Sequence, residues 1–312
     1  MNIAIVGAGA IGCAFGQALA GDHDLVLIDV WAEHVAAIAD RGLIVDGPDG
    51  ARTVDVAAST EVGAAADAEV ILIVVKSFSS EAAARALSPV MRHDAIVVTV
   101  QNGIGNDARL AAVLGAAPIV QGSTTVGAEI QGPGHVRLAA GTAHGESRTA
   151  LGRPADVASA AVCQRFAAAL QAAGLPASVI DDVREAVWRK AVFAAAIGPL
   201  CATIDGTVAD AMARPTARGL LRRAFAEIVA VARAEGIAFD LDEVWEQAGA
   251  TYRSIGAHAP SLAVDVARGR PTEIDAQLGE IRRRGAAAGI PTPVCDVLAA
   301  LIEARTAAAD ID

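Results

Sequence analysis

Short unbroken runs of aliphatic and β-branched residues alternate with alanine-rich stretches through the first half of the chain. Residues 1–6 (MNIAIV), 24–30 (DLVLIDV), 69–75 (EVILIVV) and 95–100 (AIVVTV) predict strands, with weaker candidates at 119–122 and 134–140. Residues 11–20 and 33–41 predict helices between the first of these. Strands with no polar alternation are buried on both faces, as in a parallel sheet with helices packed on either side. Beyond about residue 180 the period changes: 182–196, 216–235, 241–254 and 272–288 read at helical spacing, and no strong strand remains. The expectation is an α/β protein with a doubly wound parallel sheet over residues 1–180 and an all-α domain over 181–312. The break at 174–181 (GLPASVID) leaves no room for a long linker, so the two domains are expected to enclose a cleft.

Composition sharpens this picture mainly by exclusion. Of the 312 residues, 54% are apolar but only 3% aromatic, which suits close-packed helices on a sheet. A formal net charge of −11 argues against a phosphate-tracking nucleic-acid surface and against an anionic membrane. The four cysteines (Cys13, Cys163, Cys201 and Cys295) lie far apart with no C-x-x-C pair, so neither a disulfide framework nor a metal site is expected. Residues 1–20 are apolar but lack a basic leading segment, and no apolar run reaches the ~18 residues of a membrane span. The expected location is the cytoplasm.

The first strand ends in Gly7-Ala8-Gly9-Ala10-Ile11-Gly12, a G-x-G-x-x-G pattern with a strand before it and a helix after it. That context gives the pattern its meaning as a dinucleotide turn. The first glycine permits the tight turn, the second lets a pyrophosphate approach the backbone, and the third lets helix and strand pack closely. Backbone N–H groups of Gly9, Ala10, Ile11 and Gly12 at the positive helix end would then hold the phosphates. Asp29, at the end of the second strand, stands where a carboxylate accepts the adenosine ribose hydroxyls and repels a 2′-phosphate, so NAD is expected over NADP. A surface or helix-capping aspartate would look the same. Lys76 and Asn102 directly follow the third and fourth strong strands, at the ligand-facing edge of such a sheet. Asn102-Gly103 equally suits a plain turn.

Taken together, GAGAIG at 7–12, VVKSF at 74–78, QNGIG at 101–105, STTVGAEIQGPG at 123–134, VWRKAVFAAAIGPL at 187–200 and SLAVDVARGRPTEID at 261–275 resemble the ketopantoate reductase (2-dehydropantoate 2-reductase) family over nearly the whole chain. The resemblance implies a Rossmann-like first domain and a helical second domain. It implies Lys190 as the proton donor to the substrate carbonyl, and Glu273 as the acid contacting lysine and cofactor. It further implies that Asn102 and Ser261 hold the substrate near its carboxylate, that a backbone group at Ala128 touches the nicotinamide, and that the protein is a homodimer. Elementary chemistry agrees with the lysine: hydride addition to a ketone leaves an alkoxide, which needs an adjacent cation and proton. Lys190 could otherwise be a solvated helix lysine, Glu273 a first-turn glutamate behind Thr272, and Ser261 a helix cap.

The departures carry information as well. Relatives usually bear asparagines one and two turns after the lysine, which bind the substrate's far hydroxyl; here those positions are Ala194 and Gly198. On one continuous helix both would share the face of Lys190, now roomier and less polar. An apolar pocket accepts bulk where a hydrogen-bonding one discriminates. The expected function is reduction of a 2-keto acid without a 4-hydroxyl to a D-2-hydroxy acid, with a small-molecule partner only. True ketopantoate reduction is the alternative, with Asp205 replacing a lost polar contact. A catalytically silent NAD-binding redox sensor is a third reading, which would need neither Lys190 nor Glu273.

Overall fold

From the amino end, the strands are β1 (Asn2–Val6), β2 (Asp24–Ile28), β3 (Leu43–Gly47), β4 (Gly50–Val54), β5 (Ala57–Ser59), β6 (Val70–Ile73), β7 (Ile96–Thr99), β8 (Ile119–Thr124), β9 (Ala128–Gly132), β10 (His135–Leu138), β11 (Thr149–Gly152) and β12 (Ala177–Ile180). They belong to a computed structural model that describes residues 1–115, 117–145 and 147–307. The chain divides into two units, the first of residues 1–101 and 106–183, the second of residues 102–105 and those from 184 onward.

In the first unit, an eight-stranded sheet runs in the order β12-β11-β8-β7-β6-β1-β2-β5. Every neighbouring pair is parallel except β8 with β11. The six strands from β5 to β8 have the dinucleotide-fold order, which reverses direction between β1 and β6. The unbroken apolar strands are explained by their two covered faces. Ile3, Ile5, Val70, Leu72, Ile96 and Val98 enter one core with residues of α1 (Ala10–Leu19), whereas Ala4, Val6, Ile71, Ile73 and Val97 enter another. α2 (Ala32–Arg41), α3 (Ser80–Leu87), α4 (Asn106–Leu114), the short α5 (Ala140–Ala143) and α6 (Val157–Ala172) complete this unit.

A second sheet, β4-β3-β10-β9, is an addition that the apolar pattern does not predict, apart from β10. β4 is almost wholly exposed and β9 alternates partly buried and exposed residues, so neither carries a continuous apolar run. The segment 174–181, expected as a break, contains β12, which pairs with β11 at the sheet edge.

The second unit is helical among its described residues: α7 (Arg184–Ala195), α8 (Ile197–Thr203), α9 (Val208–Ala213), α10 (Pro215–Ala234), α11 (Leu241–Ile255), α12 (Ser261–Ala267), α13 (Glu280–Ala287) and α14 (Pro293–Ala307). Its core gathers Trp188, Val192, Leu200, Phe225, Ile228, Tyr252, Leu262 and Leu278, with Ile104 from the short 102–105 segment. Two expectations are corrected here. The stretch 182–196 forms α7, but that helix does not run on to Gly198, because α7 ends at Ala195 and α8 begins anew after Ala196. The stretch 272–288 is not one α-helix either, since a π-helical turn over Asp275–Gly279 precedes α13.

Candidate active site

The glycine turn of the first unit is built as its spacing predicts. Gly7 has φ +105°, and a Cβ on it would lie 2.6 Å from Val75 N, so the turn presses directly on the segment leaving β6. A Cβ on Gly12 would overlap the Gly7 carbonyl, so α1 can approach β1 only with glycine there. Gly9 is different: it is exposed, and a Cβ would meet nothing within 4 Å. The open face therefore lies over the N-terminus of α1, where Ala10 and Ile11 remain partly exposed and first-turn N–H groups await an acceptor. This cradle fits a pyrophosphate.

Asp29 follows β2 and donates its N–H to Ser59 O at 3.2 Å. Its Oδ1 accepts from Trp31 N at 2.9 Å, so it also organises the entry to α2. The two residues that follow it, Val30 (95% exposed) and Trp31 (40%), are apolar and bring no cation. Lys76 precedes a 3₁₀ turn at Ser77–Ser79 after β6 and is half-buried. The edge between β6 and β7 is fastened by Gln101, a residue the motif reading passed over. Its Nε2 donates to Val75 O (2.6 Å) and Ser80 Oγ (2.8 Å), and its Oε1 accepts from Thr99 Oγ1 (2.9 Å). Ala128 opens β9 opposite Leu138, partly buried against the core that includes α1; its role towards a nicotinamide rests on the resemblance alone.

Within the second unit, Asn102 begins the segment 102–105, which is anchored to the π-helical turn. Ile104 N donates to Ala276 O at 3.1 Å, and a Cβ on Gly103 (φ +92°) would overlap that same carbonyl. Asn102-Gly103 is thus a bend fixed against the element that follows Glu273. Glu273 is 7% exposed and starts that element, with Gln277 N donating to its carbonyl at 3.1 Å. Asp275 of the same motif is an anchor, held by Arg283 at 2.6 Å. Gln277 was also missed: its Oε1 is buried without a hydrogen-bond partner among the described residues, one turn past Glu273. Nothing in the spacing singles it out.

Lys190 lies on α7 between buried Trp188 and Ala191 and is only partly exposed. Burial lowers its pKa from 10.5 to about 8, and the nearby Glu273 carboxylate opposes that shift. It makes no hydrogen bond or ion pair with another described residue. A desolvated ammonium near neutrality, with a carboxylate to favour its charged form, can give up and regain a proton around physiological pH.

The face beyond Lys190 differs from the expectation. Ala194 is partly exposed, but Gly198 is buried on α8, beyond the interruption at Ala196. A Cβ there would lie 3.2 Å from Leu262 Cβ and 3.9 Å from Pro260 Cβ. The room expected at 198 is filled by α12, so apolarity is gained there and space is not. Ser261 is exposed at the first position of α12 and caps nothing. Asp205, the only described non-glycine residue with positive φ (+48°), spends its carboxylate on Arg305 at 2.8 Å.

Comparison with known proteins agrees with these motifs. Residues 3–153 match the family model described as ketopantoate reductase PanE/ApbA, and residues 182–306 match its C-terminal counterpart. A 2-dehydropantoate 2-reductase of Halobacterium salinarum is 33% identical over 97% of this chain and 98% of its own. A PanE/ApbA family ketopantoate reductase from Ralstonia eutropha JMP134 superposes with TM-score 0.90 at 32% identity, covering 99% of this chain and 100% of its own. A D-mandelate dehydrogenase solved with NADH and anilino(oxo)acetate superposes with TM-score 0.90 at 29% identity, covering all of both chains.

Proposed function

This chain belongs to the ketopantoate reductase family, and from that premise we propose that it reduces an aromatic or branched 2-oxo acid to the D-2-hydroxy acid, with NADH preferred and Lys190 as proton donor. The coarser activity, nicotinamide-dependent oxidoreduction at a CH–OH group, follows from membership, and it displaces the reading as a silent redox sensor.

The reductase reading is carried by one observation: a largely desolvated ammonium on α7, lowered to about 8, with the buried carboxylate of Glu273 acting on it. The bound dihydronicotinamide would supply the hydride. Gly9 and the first turn of α1 bind the diphosphate through backbone N–H groups, and Asp29 binds the ribose. Lys190 stabilises the negative charge that grows on the carbonyl oxygen and releases its proton from Nζ to that oxygen. Glu273 keeps Nζ charged until then. Asn102 and Ser261 are assigned to the substrate carboxylate.

Two observations support a less polar substrate. Ala194 and Gly198 carry no amide in place of the two asparagines usual after the lysine, and Leu262 and Pro260 lie over Gly198. The similarity to a D-mandelate dehydrogenase points the same way. The curated relatives named 2-dehydropantoate 2-reductase favour ketopantoate instead. NADH is favoured by Asp29, since a 2′-phosphate there would meet a carboxylate, and the two residues that follow, exposed Val30 and Trp31, bring no cation.

A panel of ketopantoate, phenylglyoxylate and 2-oxoisovalerate, each with NADH and NADPH, tests the whole reading through nicotinamide absorbance. We expect kcat/KM for phenylglyoxylate or 2-oxoisovalerate to exceed that for ketopantoate by about tenfold or more, as loss of hydroxyl-binding groups implies. NADH should outperform NADPH. A clear preference for ketopantoate removes the substrate proposal, and a clear preference for NADPH removes the role given to Asp29.

A further inference from the structure

His34 lies on α2, is fully buried, and is used by none of the chemistry above. Its Nδ1 accepts the N–H of Gly134 at 3.0 Å, from the turn between β9 and β10 a hundred residues away. That acceptor role leaves the ring one proton to give, on Nε2. With Nδ1 occupied, that Nε2–H is directed at Cys13 Sγ, 3.5 Å away, and the nearby Ala8 backbone also favours the protonated ring. Cys13 Sγ in turn donates to Ala8 O at 3.0 Å. A buried thiol on α1, backed by the imidazole on α2, is thus set on the carbonyl between the first two glycines of the dinucleotide turn.

That carbonyl and the N–H of Gly9 belong to one peptide group. The chain has no cis peptide among its described residues, and in a planar trans peptide C=O and N–H point in opposite directions. Drawing the Ala8 oxygen into the core therefore aims Gly9 N–H outward. Outward is where Gly9 is exposed and where nothing lies within 4 Å of an added Cβ. The face of the imidazole meanwhile stacks on Trp31 at 4.8 Å and 16°, next to Asp29 on the ribose side. One buried ring touches the supports of both halves of the expected cofactor.

We propose that Cys13 and His34 together position the cofactor: the Cys13 thiol, oriented by the His34 Nε2–H, holds the Ala8 carbonyl inward and so keeps Gly9 N–H presented to the diphosphate. The proposal rests on the dinucleotide reading of the glycine turn. A purely space-filling histidine would support fold stability without selecting for phosphate, and this difference can be measured.

Glutamine places an amide N–H near the histidine Nε2, whereas asparagine places its carbonyl near Nδ1. His34→Gln keeps the N–H directed at Cys13 Sγ and loses the bond from Gly134; His34→Asn does the reverse. NADH, ADP and adenosine are titrated against both variants and the unmodified protein, with melting temperatures recorded in parallel. His34→Asn should weaken NADH and ADP by about tenfold, the worth of one well-placed hydrogen bond, and adenosine by much less. His34→Gln should retain most of the affinity for all three. Wild-type affinity for ADP in folded His34→Asn overturns the proposal, as does an equal loss for adenosine. Absence of NADH and ADP binding by the unmodified protein would instead bring down the dinucleotide reading, and this proposal with it. Should His34→Asn not fold, Cys13→Ala against Cys13→Ser addresses the same carbonyl. Weaker ADP binding in the alanine variant, restored by serine, supports the role, and unchanged ADP binding in Cys13→Ala contradicts it.

Discussion

The ammonium of Lys190 is held where water solvates it poorly, and Glu273 only partly offsets that cost. With its pKa lowered from 10.5 to about 8, the side chain is charged through most of the neutral range and neutral above it. Reduction consumes the proton, so kcat/KM for the 2-oxo acid should be flat below pH 8 and fall about tenfold per unit above it. Oxidation of the hydroxy acid needs the free amine, so it should rise towards pH 8 and then level off. Initial rates in both directions across pH 6–10 check this, and a reduction profile that stays flat to pH 10 contradicts it. The same displacement has a cost in folding: the unfolded chain binds more protons between about pH 8 and 10.5, so this group's penalty is full below 8 and relieved as pH rises through that window. Lys190 and Glu273 were legible in sequence because W-R-K and T-E-I-D are local patterns. His34 was not, because its partners Cys13 and Gly134 are brought to it only by folding.

At the scale of elements, the glycine turn separates two uses of one residue type. Gly12 is required by packing, since a Cβ would overlap Gly7 O, whereas Gly9 is surrounded by open space with an ordinary φ of −67°. Gly12→Ala should destabilise the protein by about 3 kcal/mol through forced displacement of α1. Gly9→Ala should leave the melting temperature nearly unchanged but raise the Kd for NADH, because the methyl group stands where the diphosphate approaches. Thermal unfolding and NADH titration of the two variants check the contrast; equal loss of stability would refute it. Apolar periodicity found β1, β2, β6 and β7 because both their faces are buried. It missed β4 and β9, whose partly exposed residues carry no such run, and β12, a short edge strand. It also carried one helix across Ala196 and another through the π-helical turn, since apolar spacing persists where the backbone changes its winding.

For the whole molecule, the sequence suggested one cut near residue 180, while the second unit also takes residues 102–105, which leave the end of β7 and are fixed on the turn behind Glu273. No local pattern announces that a four-residue segment belongs to a core more than eighty residues further on; Ile104 N bonded to Ala276 O does. The reductase account depends on both units, one supplying the nucleotide cradle and the other the proton. Lys190→Ala tests it most directly, with NADH binding and turnover measured on the same preparation. The account predicts a Kd for NADH close to that of the unmodified protein and a fall in kcat of about 10²–10⁴-fold, the usual contribution of a positioned proton donor. Turnover within a few-fold of the unmodified enzyme would show that the proton comes from elsewhere.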